Sequence, residues 1–568
     1  MLAREHVISR LDYKIKISYA IDQEEEPTIE ATLYSASTSA SSGESPVLIE
    51  PAFISLLQAI AAFPQGSEGI KAGRIIFESI NYLSSLPYIP RTPQPSSQTN
   101  GLSLAQLNRA LVWLLPNRAK YIIEESNFSR IRTRWDRLRL LFQSLATSTV
   151  PLAAQDSARS HARLLTARHA FDVSWDGWLD NCAVNHDDDG DEIYHDLLDV
   201  LYSTQEERPR WSTLVPRDAF RNIAKQIKAE ERLPELCTLA IPVQRFKDLV
   251  KVLLALHLEL PKPDVGENTN LSQYDDAADS ICAAFAQHRE TGVTDLITWP
   301  SFAHAIESMA PHIVEPLYRL LTVTFMNKAA PADILGPPDP PRNLPEDAIL
   351  TLPRVSQLVS FLAETIDAGY LRRTNRYESP NFPAPAALVR AMTDVPEEAI
   401  VLFSGRVITA MAASTEEGKQ CVFGLFSPAP KKDGICIQAP SEIQPDNAGQ
   451  RQCRLFQLAP VQDVFRGVAG EPGWNVVLDA EGGESVAFGD SSAIEDAEER
   501  KGGVVLVLRD GLRRARIRQW SGDVEMSLDG GKDGGRKKGV AYEANPNRGD
   551  WTVDFVVEEI EIWSEDPV

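Results

Sequence analysis

The sequence predicts a multidomain α+β protein, an all-α N-terminal half followed by a C-terminal antiparallel β-sandwich with peripheral helices. Three observations predict it. Before about residue 326, apolar residues recur at the 3.6-residue period of a helix. Between Pro331 and Pro353, seven prolines lie among small and acidic residues, a composition that can continue neither helix nor sheet. Beyond it glycine becomes frequent, and strand-sized runs of β-formers are bounded by Gly, Pro, Asn or Asp.

Taken in order, residues 1–101 read as an N-terminal segment punctuated by two low-complexity stretches, Ser35 to Ser45 and Pro87 to Gly101, both loops or linkers. Residues 102–330 read as helical. Ile131, Trp135, Leu138, Phe142 and Leu145 fall on one face at helical spacing; so do Phe220, Ile223 and Ile227, then Phe246, Leu249, Leu253 and Leu260, then Phe302, Ile306 and Met309. Residues 331–353 are the proline-rich linker, and residues 354–568 the β-rich domain. That domain opens with a short helix around Val355 to Ile366. Strands follow at Ala399 to Phe403, Val422 to Phe426, Leu455 to Leu458, Val476 to Leu478, Val504 to Leu508, Trp551 to Val557 and Ile560 to Trp563. Many short strands at this spacing predict antiparallel pairing.

Composition excludes several function classes. A formal net charge of -23 and a pI near 4.9 argue against nucleic acid as a partner, because phosphate binding needs a concentrated basic surface. Like charge also repels an anionic membrane surface. The longest apolar run, Leu249 to Leu260, is interrupted by Lys251, His257 and Glu259 and is too short for a bilayer span. With no secretory leader and no glycine after Met1, the expectation is a soluble, cytoplasmic protein without a transmembrane segment or an N-myristoyl anchor. The cysteines Cys182, Cys237, Cys282, Cys421, Cys436 and Cys453 form no CxxC pair, which removes zinc-ribbon and redox-motif readings.

All nine histidines lie between His6 and His312, before the linker, so the C-terminal domain has no imidazole of its own to serve as a general base. Neither GxSxG, HExxH nor a phosphate-cradling GK[ST] loop occurs, and the Gly530, Gly531, Gly534, Gly535 cluster reads as a loop. No catalytic, cofactor-binding or metal-ligating residue and no cofactor is therefore expected. The segment Phe171 to Leu179 reproduces the start of an EF-hand loop, with Asp172, Ser174 and Asp176 as oxygen donors and Gly177 at the turn. Its twelfth position, where calcium needs a bidentate Glu, is Ala183. A second register, Asn185, Asp187, Asp189 and Gly190, ends on Asp196. Gly292 to Phe302 resembles the end of a further loop with Ile297 at position eight, but Glu290, Gly292, Thr294 and Ser301 fit the ligand positions badly. These read as EF-hand-like helix pairs kept as scaffold. A calcium-responsive adaptor is the alternative, and a hydrolase-like enzyme a third reading.

Arg509, Arg513, Arg514, Arg516 and Arg518 stand out against the acidic background. Alternation with Ala515 and Ile517 puts Arg514, Arg516 and Arg518 on one strand face. They form either a solvated face paired with nearby carboxylates or a docking patch for an acidic protein. The triplet Arg536, Lys537, Lys538 reads as an exposed loop, and Cys421 and Cys453 as small core residues rather than redox sensors.

The C-terminal third resembles the TLDc domain family. Val422-Phe423-Gly424-Leu425-Phe426 resembles its "VFGAF" strand, Arg454 to Pro460 its "FLFQLSP" segment, and Glu484 to Gly489 its "LAIGGG" turn. Val504 to Asp510 resembles "GLWLDEDL", and Phe555 to Trp563 is similar to the closing "F…IEVW". The helical half, with Ile297-Thr298-Trp299-Pro300-Ser301-Phe302, is similar to the subgroup with EF-hand-like helices ahead of TLDc, which includes the fungal restriction of telomere capping protein 5 family. The resemblance implies a two-sheet sandwich without an accepted active site. It also implies roles in oxidative-stress resistance or growth signalling, a link to telomere capping in fungi, and protein partners among the peripheral subunits of the vacuolar V-type proton ATPase.

Overall fold

A computed structural model describes residues 4–37, 46–60, 63–89, 101–123, 132–160, 192–205, 215, 217–258, 270–286, 295–326, 338–395, 397–411, 417–428, 452–468, 473–478, 483–489, 503–520 and 541–565. The helical half contains α1 (Arg4–Ile17), α2 (Glu25–Ala36), α3 (Glu50–Ile60), α4 (Gly66–Ser84), α5 (Leu104–Leu114), α6 (Arg134–Leu145) and α7 (152–160). It continues with α8 (Glu192–Ser203), α9 (Arg221–Glu231), α10 (Val243–Ala255), α11 (Asp275–Phe285), α12 (Trp299–Ser308) and α13 (Glu315–Met326). The periodic residues fall on α6, α9, α10 and α12, with Phe220 and Met309 at the caps of α9 and α12. Ile131 and Leu260 lie outside the described residues.

Local chemistry sets the helix starts. The Ser103 hydroxyl accepts from the Gln106 backbone N–H while the Gln106 side chain accepts from the Ser103 N–H. Thr133 and Asp136 do the same at α6. Pro300 and Pro353 stand in the first turns of α12 and of the first C-terminal helix, where a missing N–H costs nothing. One apolar cluster runs from Val7 on α1 to Met326 on α13. The boundary placed at residue 101 falls inside that cluster: Leu48 and Leu102 exchange two backbone hydrogen bonds of 2.9 Å, and α1 to α4 pack as part of the same core. Tyr88 and Ile89, within the expected Pro87 to Gly101 linker, are buried.

The all-α expectation for residues 102–330 needs correction. A small antiparallel sheet, β1 (Ser148–Thr149), β2 (Leu239–Pro242) and β3 (Leu296–Thr298), lies among the helices in that order. Strands of two to four residues are too short to display a period of two, so no pattern announces them.

The C-terminal half contains α14 (Leu352–Leu362), β4 (Leu371–Glu378), α15 (Pro385–Thr393), β5 (Ala399–Met411), β6 (Gln420–Ser427), β7 (Arg454–Ala459) and β8 (Asp463–Arg466). β9 (Asn475–Leu478), β10 (Glu484–Phe488), β11 (Gly503–Arg509), β12 (Arg514–Trp520) and β13 (Trp551–Glu565) complete it. The strands form one antiparallel sheet in the order β8-β7-β6-β5-β13-β12-β11-β10-β9, with β4 on the C-terminal part of β13. The two strands expected at Trp551 to Val557 and Ile560 to Trp563 are one strand of 15 residues, irregular near Val557 and Glu559. Its first half pairs with β12, its second with β4, and β5 runs along the other side. The sheet curls over a single interior, where Phe403 of β5 lies 5.4 Å from Phe488 of β10 and Phe423 of β6 stacks 5.2 Å from Phe555 of β13. Glu484 to Gly489, read as a turn, is strand β10 from Glu484 to Phe488, turning only at Gly489.

On the opposite face of β5 to β8, Ile400, Leu402, Phe426 and Phe456 meet α14. Gly424 permits this. A Cβ there would sit 2.3 Å from the Phe456 ring, which itself lies 5.4 Å from Phe361 of α14. From Ala348 onward the expected linker is packed rather than free. Buried Glu561 of β13 accepts from the backbone N–H of Ile349 (3.0 Å), from Arg373 (2.8 Å) and from the Trp563 indole (2.9 Å).

Gly424→Ala is expected to destabilise the protein by about 1–3 kcal/mol through overpacking. Glu561→Ala, which strands the Trp563 indole and Ile349 backbone N–H groups and leaves Arg373 with Asp347 alone, is expected to cost about 2–4 kcal/mol. Urea denaturation of each variant checks both values.

Candidate interaction surface

The arginine stripe sits on β12, and the register shows what surrounds it. Because residues directly opposite in a sheet point to the same side, three rows cross β12, β13 and β5: Arg514, Val556 and Arg406; Arg516, Asp554 and Thr409; Arg518, Thr552 and Met411. The alternate residues Ala515, Ile517, Val553, Phe555 and Val407 are in the interior. This face is open to solvent: Val556 is 40% exposed, Ile408 44% and Met411 68%.

The paired and solvated reading holds for part of the stripe. Arg516 makes a two-pronged contact with Asp554 at 2.7 and 3.1 Å, and Arg406 reaches Glu558 at 3.0 Å. Asp554 holds the Arg516 pKa above the usual guanidinium value through hydrogen bonding and charge. Arg518 lies 6.0 Å from the Trp520 ring centre, and Arg513 donates to the Pro380 carbonyl. Arg514 differs. It is 70% exposed, its one carboxylate contact among the described residues is Asp510 at 3.6 Å, and it stands directly opposite Arg509. Like charges at a directly opposed pair are destabilising unless an anion lies between them. Arg536, Lys537 and Lys538 lie outside the described residues.

Where the sequence pointed to calcium, Asp172, Ser174, Asp176, Ala183 and the Asn185 to Asp191 run also lie outside the described residues. Asp196, the twelfth position of the second register, is committed elsewhere. It is buried between Arg132 and Arg139, with Arg139 at 2.7 and 2.8 Å. Burial alone would raise its pKa, but the two guanidiniums outweigh burial and hold it well below the usual carboxylate range. Ile297 lies in β3 opposite Ile241 of β2, with a helix following each strand, as in a paired EF-hand. Counting Ile241 as position eight puts Pro234, Leu236, Thr238 and Arg245 where oxygen ligands belong, and the Ser301 hydroxyl is turned to Thr298. Among the described residues no group of three or more His, Cys, Asp or Glu is arranged to hold a metal ion.

The thiols of Cys237, Cys282 and Cys421 are buried and in no disulfide, and Cys453 is buried as well. Desolvation raises the first three, Cys421 to about 12, which leaves little nucleophilic thiolate at neutral pH.

The sequence missed how the halves meet. The turn between β7 and β8 inserts into the helical half: Val461 joins the helical core, and the Gln462 backbone N–H donates to Ser280 O at 3.0 Å. The Gln462 side chain donates to Met309 O (2.9 Å) and Ser360 Oγ (3.1 Å). Buried Asp463 accepts from Arg548 and from Asn545 Nδ2, each at 3.0 Å. Since that amide nitrogen donates to Asp463, Asn545 Oδ1 accepts from His304 Nε2, also at 3.0 Å. An imidazole from the helical half thus reaches the sheet domain, which has none of its own. The Ser308 hydroxyl, which donates to the His304 carbonyl, also lies 3.4 Å from Nε2.

No described helix is long and apolar enough to cross a membrane. Compared with known proteins, the sequence matches no family model and no curated protein.

His257, at the end of α10, is buried with no acceptor or donor for Nε2. Desolvation first, then Arg319 and His312, depress its pKa well below the usual imidazole value. Below about pH 6.5 the unfolded chain takes up this proton and the folded chain does not. The stability His257 confers is therefore complete above that pH and falls as pH drops, by about 1.4 kcal/mol per unit. His257→Gln is expected to flatten the stability profile relative to wild type below about pH 6.5; urea titrations across that range check it.

Proposed function

We propose that the chain is a non-catalytic regulator or adaptor of the TLDc type that works by docking its arginine-bearing sheet face on an acidic protein. The resemblance indicates the partner, the peripheral sector of the vacuolar V-type proton ATPase, which would hold the protein in the cytoplasm and at the vacuolar surface. The same resemblance ties it to stress resistance and telomere capping.

Two features support the reading. The five family-like segments coincide in order with β6, β7, β10, β11 and β13, the strands around the sheet interior. The observation that carries it is the pairing of Arg509 with Arg514 across β11 and β12, beside exposed Val556, Ile408 and Met411. Such a face combines partly compensated positive charge with apolar area, and arginine is enriched at interfaces while exposed lysine is depleted. It offers attraction to an acidic surface although the whole molecule carries -23.

Pull-down from a vacuole-rich extract is expected to recover pump subunits with wild-type protein. Arg514→Glu/Arg518→Glu is expected to weaken recovery at least tenfold while leaving the thermal midpoint within a few degrees, as expected of surface substitutions, about 0.5 kcal/mol each. Failure of wild-type protein to recover the pump, where a control partner does, refutes this partner. Undiminished recovery by the double variant refutes this surface.

A further inference from the structure

Arg509 ends β11 and Arg514 begins β12, directly opposite across the ladder and on the outer face of the sheet. Side chains so opposed start about 5 Å apart. Among the described residues the Arg509 guanidinium makes no hydrogen bond or ion pair, and that of Arg514 has only Asp510, at 3.6 Å and itself 59% exposed. Other arginines of this face are each met by a carboxylate: Asp554 takes both prongs of Arg516, and Glu558 takes Arg406. Glu484, at the exposed start of β10, pairs with neither Arg509 nor Arg514.

The connecting turn fixes the backbone positions of the pair. Asp510, Gly511 and Leu512 are consecutive left-handed residues, at φ of 54°, 63° and 68°. Asp and Gly visit that region; leucine does so at a steric cost, and Leu512 is held there by complete burial in the sheet interior. Arg513 closes the turn: its N–H donates to the Asp510 carbonyl (3.4 Å), its carbonyl accepts from the Val557 N–H (2.9 Å), and its guanidinium donates to the Pro380 carbonyl (3.3 Å). Thus β11 and β12 stay in register up to Arg509 and Arg514 in spite of the repulsion between the two. A strained turn that keeps like charges together is preorganised for an anion, because the ordering is complete before the ligand arrives.

Carboxylate oxygens come as a planar pair that matches one guanidinium fork, as Asp554 shows on Arg516. Two forks side by side call for more oxygens and more charge. A phosphorylated serine or threonine carries about -1.5 to -2 charge and three acceptor oxygens. A lipid headgroup offers the same phosphate, but the net charge of -23 opposes approach to an anionic bilayer.

Building on the docking face described under the proposed function, we propose that Arg509 and Arg514 form a clamp for a phosphoserine or phosphothreonine of the protein partner, so that docking is switched by phosphorylation of that partner.

Two measurements test the clamp. Full-length protein is passed at low salt over resin carrying O-phosphoserine and over resin carrying aspartate at equal density. The wild type, acidic as it is, is expected to be retained on phosphoserine and to pass through aspartate. Arg509→Gln/Arg514→Gln is expected to pass through both, and Lys71→Gln on α4 to behave as wild type. Arg514→Gln alone, at a 70% exposed position, keeps the test valid should the double variant fail to fold. Equal behaviour of the wild type on the two resins overturns the clamp, as does retention that neither arginine variant weakens. In the second measurement the vacuole-rich extract is treated with phosphatase, the phosphatase is inhibited, and the pull-down is repeated; recovery of pump subunits is expected to fall several-fold. Undiminished recovery after dephosphorylation overturns the clamp, and if Arg514→Glu/Arg518→Glu still weakens recovery the docking face stands without it. Failure to recover the pump from untreated extract refutes that partner, and the resins then decide the clamp alone. Co-sedimentation with phosphatidylcholine vesicles carrying phosphatidylinositol 4-phosphate, lost in the double variant, reassigns the clamp to a lipid and overturns the protein partner.

Discussion

The architecture depends on the turn between β7 and β8, where a hairpin of the sheet is driven into the helical half and the Gln462 and Asp463 side chains are met by hydrogen-bond partners. Asp463, fully buried, would be prohibitively costly alone. Arg548, Asn545 and the Val464 N–H meet it, and Arg548 is in turn held by Gln457 at 2.9 Å and lies 4.3 Å from the Trp551 ring. Gln519 fixes the segment that carries Asn545 and Arg548, donating to the carbonyls of Asn545 and Gly549. Because β7, β8, β12 and the approach to β13 meet at one charge, the sheet cannot shift against the helices without exposing or stranding it. The proline-rich stretch is therefore a covalent connection across a junction that is otherwise non-covalently locked.

That lock shapes what the surface can do. With one face of β5 to β8 covered by α14 and the interior filled by aromatic rings, the outer side of β12, β13 and the far end of β5 is where the sheet meets solvent. The arginines are concentrated there for a reason of register: alternation puts Ala515 and Ile517 inside and Arg514, Arg516 and Arg518 outside. Asp554 neutralises the middle one, so residual positive charge is displaced toward Arg509 and Arg514. The Cys237, Cys282 and Cys421 thiols and the His257 imidazole are buried where desolvation opposes their charged forms.

Legibility in the sequence followed the length and regularity of each element. Trp135, Leu138, Phe142 and Leu145 announce α6 because a helix repeats its buried face over several turns. Val504 to Leu508 announces β11 because both its faces are covered. β4, with the sequence LRRTNRYE, escaped notice because it is an edge strand, two of whose arginines, Arg373 and Arg376, pair with Asp347, Glu559 and Glu561 across long chain distances. β8 is four residues long and contains the buried Asp463, a residue that reads as a turn. Residues 557–559 looked like a break because a bulge interrupts alternation without ending the strand.

What the sequence determined by itself is the division into a helical and a β-rich half, the buried faces of α6, α9, α10 and α12, and the placing of three arginines on one strand face. These are consequences of period and composition, which act over neighbours in the chain. Only the tertiary structure decided that α1 to α4 belong to the helical core, that Asp196 serves a buried ion cluster, and that His304 reaches Asn545. Each of those depends on groups brought together from distant parts of the chain, where the free energy of burying charge and polar atoms selects partners that no local pattern encodes.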